Sequence, residues 1–501
     1  MRLAAAVPRP SRQTEDALRA ARIVVLTAFG ALLLGLFADT ESAFVRLVAA
    51  CVIAALLIVL YLTRPAVAVV ATFVYLVFVA FIRRLLITDA GWTSADPLLL
   101  VGPLVSVVAM VKLFVLDKRP FVPDLLSKCI ALMLFITCLE VFNPEGGIAA
   151  GVLGLLFSAL PLLWYWVGRE LVTDQVIDWL MSTLLFLGTV IGIYGVLQTE
   201  VGFPPWDQQW LQVALGGGYA SLNVGGTLRA FGTFASAQEY ALCVGAALVV
   251  AVVYGLRGRA WAWLTVPVLG FALFLSSGRA ALILSFLGAV IVCALKPRKP
   301  RTALVVTIVT VGAAFGALHF AAGSLSSSTT GASALVSHQV GGLTNPLDPN
   351  NSTLLIHLNR ALDGIKSSIH HPFGQGDGAT NLANAVNQNS TLNNLGAATE
   401  YDITNAFVIA GPLGGALYLF IVLLVWWVAL RGYFAGREAL LAPIGVLVVG
   451  LGQWLIGGAY ALSPLCWILI GSIGATTLYY TPATPPEPPP ATRRAELAGH
   501  R

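Results

Sequence analysis

The chain has 501 residues, 57% hydrophobic and only 11% charged, with a formal net charge of +5. A water-soluble domain carries about 25% charged residues, so this composition excludes an ordinary soluble enzyme. The basic residues fall in short clusters between apolar runs, a topology signal that gives no footing for nucleic acid. Six cysteines lie in apolar stretches without CxxC spacing, which excludes a cysteine-based metal or redox motif.

Residues 1–21 form a polar tail, too long and polar for the leading region of a cleaved signal peptide, and read as cytoplasmic. Apolar runs follow near 22–38, 44–62, 66–82, 98–116, 126–142, 148–167, 178–198, 237–255, 260–276, 280–295, 303–322, 403–430, 439–457 and 462–479. Runs of about 18 apolar residues read as membrane-spanning helices, and these lack the alternation of a transmembrane barrel. The expected fold is all-α: a polytopic membrane protein with about 12–14 transmembrane helices over 22–480 and one large extracytoplasmic loop carrying amphipathic helices. The proline-rich, charged residues 481–501 read as a disordered cytoplasmic tail.

With the N-terminus in the cytoplasm, "TRPA", "DKRPFVPDLLSK", "GRELVTDQ", "GLRGRA", "KPRKPR" and "RGYFAGRE" fall on the inner side, and each contains lysine or arginine. Both termini are then cytoplasmic. The outward connections are mostly acidic or neutral, with Arg83, Arg84 and Arg279 as exceptions. Arg279 sits in "LSSGRAALIL", with apolar sequence on both sides. A guanidinium is always charged and is costly in hydrocarbon. Arg279 is therefore either a boundary arginine whose head snorkels to the interface or part of a site that needs a cation.

Two connections are long, and both face outward. The first, 199–236, is rich in glycine and aromatics and ends in "GTLRAFGTFASAQEY", with Arg229 and then Glu239 at the mouth of the next span. The second, 323–402, holds "STLLIHLNRALDGIKSSIHHPFGQGDG". Leu355, Leu358, Leu362, Ile365 and Ile369 recur there at helical spacing, with Arg360, Asp363 and Ser367 opposite. This is the pattern of a helix on the outer membrane surface or capping the bundle. Pro372 ends it, and "GQGDG" reads as a turn or as a backbone-amide nest for an anion. His338, His357, His370 and His371 have no zinc-ligand spacing, so no metal and no cofactor are expected.

The outer face thus gathers Arg229, Arg279, Arg360 and Lys366 with Glu239, Glu400, Asp402 and four histidines. Arginine forks suit phosphate oxygens. They also stabilise charge that develops on a leaving group. A carboxylate or imidazole beside them can take a proton from an acceptor hydroxyl.

"RAFGTFASAQEYA", "FLSSGRAALI", "NRALDGIKSSIHHPFGQGDG" and "TEYDITNAFVIAGPLGGAL", in that order over about 225–420, resemble the O-antigen ligase and O-antigen polymerase superfamily. The resemblance implies a glycosyltransferase of the bacterial cytoplasmic (inner) membrane. Its donor would be an undecaprenyl-pyrophosphate-linked oligosaccharide and its acceptor a sugar hydroxyl on a glycan or lipid, with inversion and without metal. A polymerase making exopolysaccharide or O-antigen is favoured, with a chain-length regulator as a further partner; a ligase is the alternative. Arg229 and Arg279 match the two arginines that would hold the pyrophosphate, and Arg360 matches the arginine before the Pro-Gly motif. Ligases place a histidine shortly before the last motif, where this chain reads "TEYDITN" with Glu400. Glu400 is thus the first choice for the base, with His338 and His371 as alternatives; His371 fits better as part of its turn. A helix-N-terminal acid stabilised by the dipole is the competing reading of Glu400. A glycosyltransferase of another lineage would show an acidic pair in the first outer loop, which here is "ADTES". A transporter or flippase would show repeated halves and mid-span charges, and neither is evident.

Overall fold

A computed structural model gives the architecture. It describes residues 41–93, 96–121, 124–216, 223–224, 227–297, 332–348, 352–380, 401–455 and 460–475, with positions 301, 305, 308 and 309. The expected span at 22–38 lies outside the described residues, and that at 303–322 almost wholly so.

The described chain is mostly helical. The hairpin α1 (Glu41–Thr63) and α2 (Pro65–Leu85) is followed by α3 (Val101–Met110), which short 3-10 and π turns extend to Pro97–Leu116. Next come α4 (Leu125–Glu140), α5 (Ile148–Ser158), α6 (Leu160–Leu171) and α7 (Asp174–Glu200). The expected single span over 148–167 is α5 and α6 together, bent at Ala159 just before Pro161. The first long connection folds as α8 (Pro205–Gly216) and a two-stranded antiparallel hairpin, β1 (Asn223–Val224) and β2 (Thr227–Leu228). This small ladder is an addition to the all-α expectation. Then come α9 (Ala237–Leu256), α10 (Ala262–Leu275) and α11 (Arg279–Leu295). The second long connection carries α12 (Ala332–Thr344) and α13 (Leu354–His370), and α14 (Asp402–Phe434), α15 (Leu441–Val449) and α16 (Leu462–Gly474) follow.

Seven of the described helical stretches are long and apolar enough to cross a membrane. Their outward faces carry large apolar side chains, such as Leu56 at 61% and Phe186 at 68% exposure, as lipid contact requires. The centre is α9, 83% buried across its apolar stretch and packed against α7, α10, α11 and α15. Lipid tails are as apolar as leucine, so helices in a bilayer associate through close packing. At the α6–α16 contact, a Cβ added to Gly168 would strike the Ile468 carbonyl, and one added to Gly471 the Tyr165 carbonyl. The two backbones approach that closely because both residues are glycine.

Two helices are broken, and each break has its backbone groups supplied with partners. In α14, Pro412 has no N–H to donate to Val408, and the chain kinks at Ala410–Gly411. The stranded carbonyls of Val408 and Ile409 accept from the amides of Gln375 (2.9 Å) and Gly376 (3.1 Å). The GQGDG segment is therefore a turn docked into the kink. The amides that an anion nest would have used are taken, which removes that reading. The second break separates α15 from α16. There the amides of Trp454 and Leu455 donate to the buried Asp402 carboxylate, the latter at 2.9 Å, and Tyr418 donates its hydroxyl to it at 3.0 Å. The Ala461 amide donates to Glu239 Oε1 at 2.9 Å. Asp402 and Glu239 are thus buried acceptors that stand in for a missing helical turn.

α13 forms over the expected segment and docks on α14 through Gly364 and Ser368, its buried positions. Its apolar stripe is mostly left uncovered: Leu358, Leu362 and Ile369 are exposed, while Leu355 and Ile365 are half-buried.

Replacing Asp402 by alanine strands two buried amides, at about 1–3 kcal/mol each. The variant is expected to lose a large part of its thermal stability in detergent, with Asp402→Asn recovering part of the loss. An Asp402→Ala protein that melts with the wild type would show that the carboxylate does not hold the break.

Candidate functional site

The turn from α10 into α11 is built around Arg279. Ser276 Oγ donates back to Leu273 O at 2.6 Å and accepts the Gly278 amide at 3.2 Å. Ser277 adopts φ 54°, a conformation that non-glycine residues rarely enter. This tight reversal makes Arg279 the first residue of α11, where the free amides and the helix dipole already carry positive charge.

Two other segments close over this turn. Arg229, just after β2, donates from Nε to Ser276 O at 2.8 Å. Its guanidinium lies beside the turn, such that a Cβ on Gly278 would sit 3.5 Å from Nη2. From the other side, α12 packs on α10, α11 and the hairpin. Arg279 Nη2 lies 2.7 Å from His338 Nε2 and donates to the His338 carbonyl at 2.9 Å. Gly342, one turn further along α12, leaves the space that the Arg279 guanidinium fills; a Cβ there would collide with it.

Arg279 and Arg229 lie close enough for the charge of each to act on the groups around them. No carboxylate pairs with Arg279 among the described residues, and its buried Nε has no hydrogen-bond partner. Ser277 Oγ and both amide atoms of Gln339, which is fully buried next to His338, are also without partners. Burial, with the neighbouring Arg279 charge, pushes the Arg229 pKa down to about 10, which still leaves it charged at neutral pH. Burial, followed by the charges of Arg279 and Arg229, pushes the His338 pKa down to about 4. The imidazole is therefore neutral near pH 7. An arginine can only donate, so Nε2 is the acceptor and the proton resides on Nδ1.

The other expected site residues lie apart from this cluster or outside it. His371 binds Glu145 through Nδ1 at 3.0 Å and ties the end of α13 to the Asn143–Gly147 turn. Arg360 lies on an exposed part of α13. Glu400, the first choice for the base, lies outside the described residues. Glu239 and Asp402, counted with the outer acids, are fully buried acceptors for backbone amides. Arg83 and Arg84, exceptions to the charge bias, are buried as well. Arg83 shares Asp96 with Arg46, at 3.0 Å from Arg83 Nε, and Arg84 Nε lies 3.1 Å from Asp207. Sequence reading did not single out Gln339, Gln198 or Asp207. The signal pointing to the surroundings of Gln198 and Asp207 was the misplaced Arg84, and that for Gln339 was the neighbouring His338.

No family model matches the chain, and neither a curated protein nor a solved structure does.

The depressed His338 pKa sets a pH window. The unfolded chain binds a proton at this histidine below about 6.5, and the folded protein does so only near 4. His338 therefore favours the folded state fully above the unfolded value, and that contribution is lost as pH falls toward 4. Peptide-resolved modification by diethyl pyrocarbonate is expected to titrate His338 near pH 4, and Arg279→Gln to move the midpoint up toward 6.5. A midpoint near 6.5 in the wild type would mean that the ring is neither buried nor set against the guanidinium.

Proposed function

We propose that the chain is a membrane glycosyltransferase of the O-antigen ligase and polymerase kind, with a polymerase favoured. It transfers a glycan from a polyprenyl-pyrophosphate carrier to a sugar hydroxyl at the outer face of the bacterial cytoplasmic membrane. The observation that carries this reading is the Arg279–His338 contact with Arg229 beside it, at the end of an apolar helix. Two arginines held close without a carboxylate on Arg279 favour a polyanion between them. A pyrophosphate anchored in the membrane by its lipid fits such a boundary position.

The chemistry follows from these groups. The guanidinium forks of Arg229 and Arg279 bind pyrophosphate oxygens. They stabilise the charge that grows there as the bond from the anomeric carbon to the phosphate oxygen breaks. Its electron pair leaves with the pyrophosphate. The acceptor hydroxyl attacks the anomeric carbon from the opposite face, which inverts its configuration. The proton of that hydroxyl goes to His338 Nε2, which is unprotonated at pH 7 and whose basicity rises when an anion offsets the two guanidinium charges. In the described state Nε2 is engaged by Arg279. An anion that draws the guanidinium toward itself frees the ring nitrogen, so donor binding and base activation are linked. The residues alone supply charge stabilisation and proton transfer.

The test is polymer formation from a lipid-linked repeat unit in proteoliposomes. Arg279→Ala is expected to abolish transfer. Arg279→Lys should retain a minor part, because a point charge replaces the fork. His338→Gln should lower kcat by about 10²–10⁴, the usual worth of a general base, with donor binding kept. Wild-type polymer yield and length in both Arg279 variants would rule the proposal out. Movement of the lipid-linked unit across the bilayer without a new glycosidic bond would assign a flippase instead.

A further inference from the structure

The segment Arg229–Phe234 carries one of the two arginines of the cluster, yet it is a loop between β2 and α9. A loop residue is a poor clamp unless something holds the loop. The holding groups come from two helices, joined by a carboxylate of a third, and converge on the backbone of Phe231–Phe234.

We propose that Arg84 is a positioning residue for Arg229; this rests on the reading of Arg229 and Arg279 as an anion clamp. Arg84 is 1% exposed at the end of α2. Its Nη1 donates to the Phe234 carbonyl at 2.7 Å and its Nη2 to the Gly232 carbonyl at 2.6 Å. One planar fork therefore fixes two carbonyls that are two residues apart. The guanidinium carbon lies 4.8 Å from the centre of the Phe231 ring. Its charge is balanced by Asp207 of α8 at 3.1 Å.

The same carboxylate links this grip to a second one. Gln198 of α7 donates to Asp207 Oδ2 at 2.6 Å, and its Oε1 accepts the amides of Phe231 (3.1 Å) and Gly232 (2.8 Å). Arg84 thus takes the loop's carbonyls and Gln198 takes its amides, with Asp207 joining the two. Gly232 passes through φ 52°, and a Cβ there would press on Ile191 and Tyr240, so the loop has one path through this socket. At the near end of the held stretch, Arg229 reaches Ser276 O. The network ends on the backbone of the loop that carries the clamp. This also accounts for an arginine on the side of the membrane where the charge bias disfavours one.

The experiment uses the full-length protein in nanodiscs, with inorganic pyrophosphate as the probe. Arg84→Lys keeps the charge but loses the fork. The double variant Arg84→Met/Asp207→Leu removes the ion pair together, a change that buried pairs often tolerate without loss of folding. Arg229→Ala is the comparison. Expected for both Arg84 variants are a lowered but still cooperative melting transition and exchange of the 228–236 amides at least about tenfold faster. Pyrophosphate affinity should fall about tenfold, toward that of Arg229→Ala. A folded double variant with wild-type loop exchange and wild-type affinity overturns the proposal, as does a loosened loop that binds pyrophosphate unchanged while Arg229→Ala does not. If Arg229→Ala itself leaves pyrophosphate affinity untouched, the clamp reading fails. Loop exchange then decides by itself whether Arg84 holds the loop.

Discussion

The constraint on which the rest of this structure depends is that backbone amides and carbonyls have no water to turn to inside a bilayer. An unbroken helix meets it within itself. This chain interrupts its helical core at two places and must supply partners from elsewhere. The α14 kink receives them from the Gln375 and Gly376 amides, and the α15–α16 break receives them from Asp402 and Glu239. These repairs tie the second long connection and the start of α9 to the helical core. The segments around the arginine cluster thus rest on a rigid frame.

That frame explains why so many charged side chains are buried. At the connections expected on the inner side, several arginines are paired with acids: Arg119 with Glu170, Arg259 with Asp178 and Arg437 with Asp174. Arg46, Arg83 and Arg84 are likewise compensated, by Asp96 and Asp207. Arg279 differs. It meets an imidazole and a carbonyl instead of an acid. Burying a cation without a counter-charge is costly. The arrangement holds because Arg279 is only half-buried. Burial, helped by this positive charge, keeps the adjacent histidine neutral, and under the proposed function the same charge favours an anionic ligand.

Much of the helical frame was legible as apolar runs, because lipid selects for composition along the whole span. Twelve of the described helical stretches, among them 125–140, 237–256, 279–295 and 402–434, lie where those runs predict them. The breaks were less legible. The run 439–457 continues through Val449 into the irregular residues 450–455, since a buried loop in a membrane is as apolar as a helix. The stripe on α13 was readable. That the helix docks through Gly364 and Ser368, with much of the stripe uncovered, was not.

The sequence by itself determined a polytopic, helical membrane chain with an alternating charge pattern, and it marked Arg83, Arg84 and Arg279 as out of place. Those properties are local: each depends on residues within one helical span or one loop. Only the tertiary structure decided which of these groups meet. It set His338 against Arg279 across 59 positions of chain, made Glu239 and Asp402 into backbone acceptors, and placed Arg84 under a loop 148 positions away. Such pairings depend on how helices cross and where they break, which are properties of packing that no local run of residues encodes.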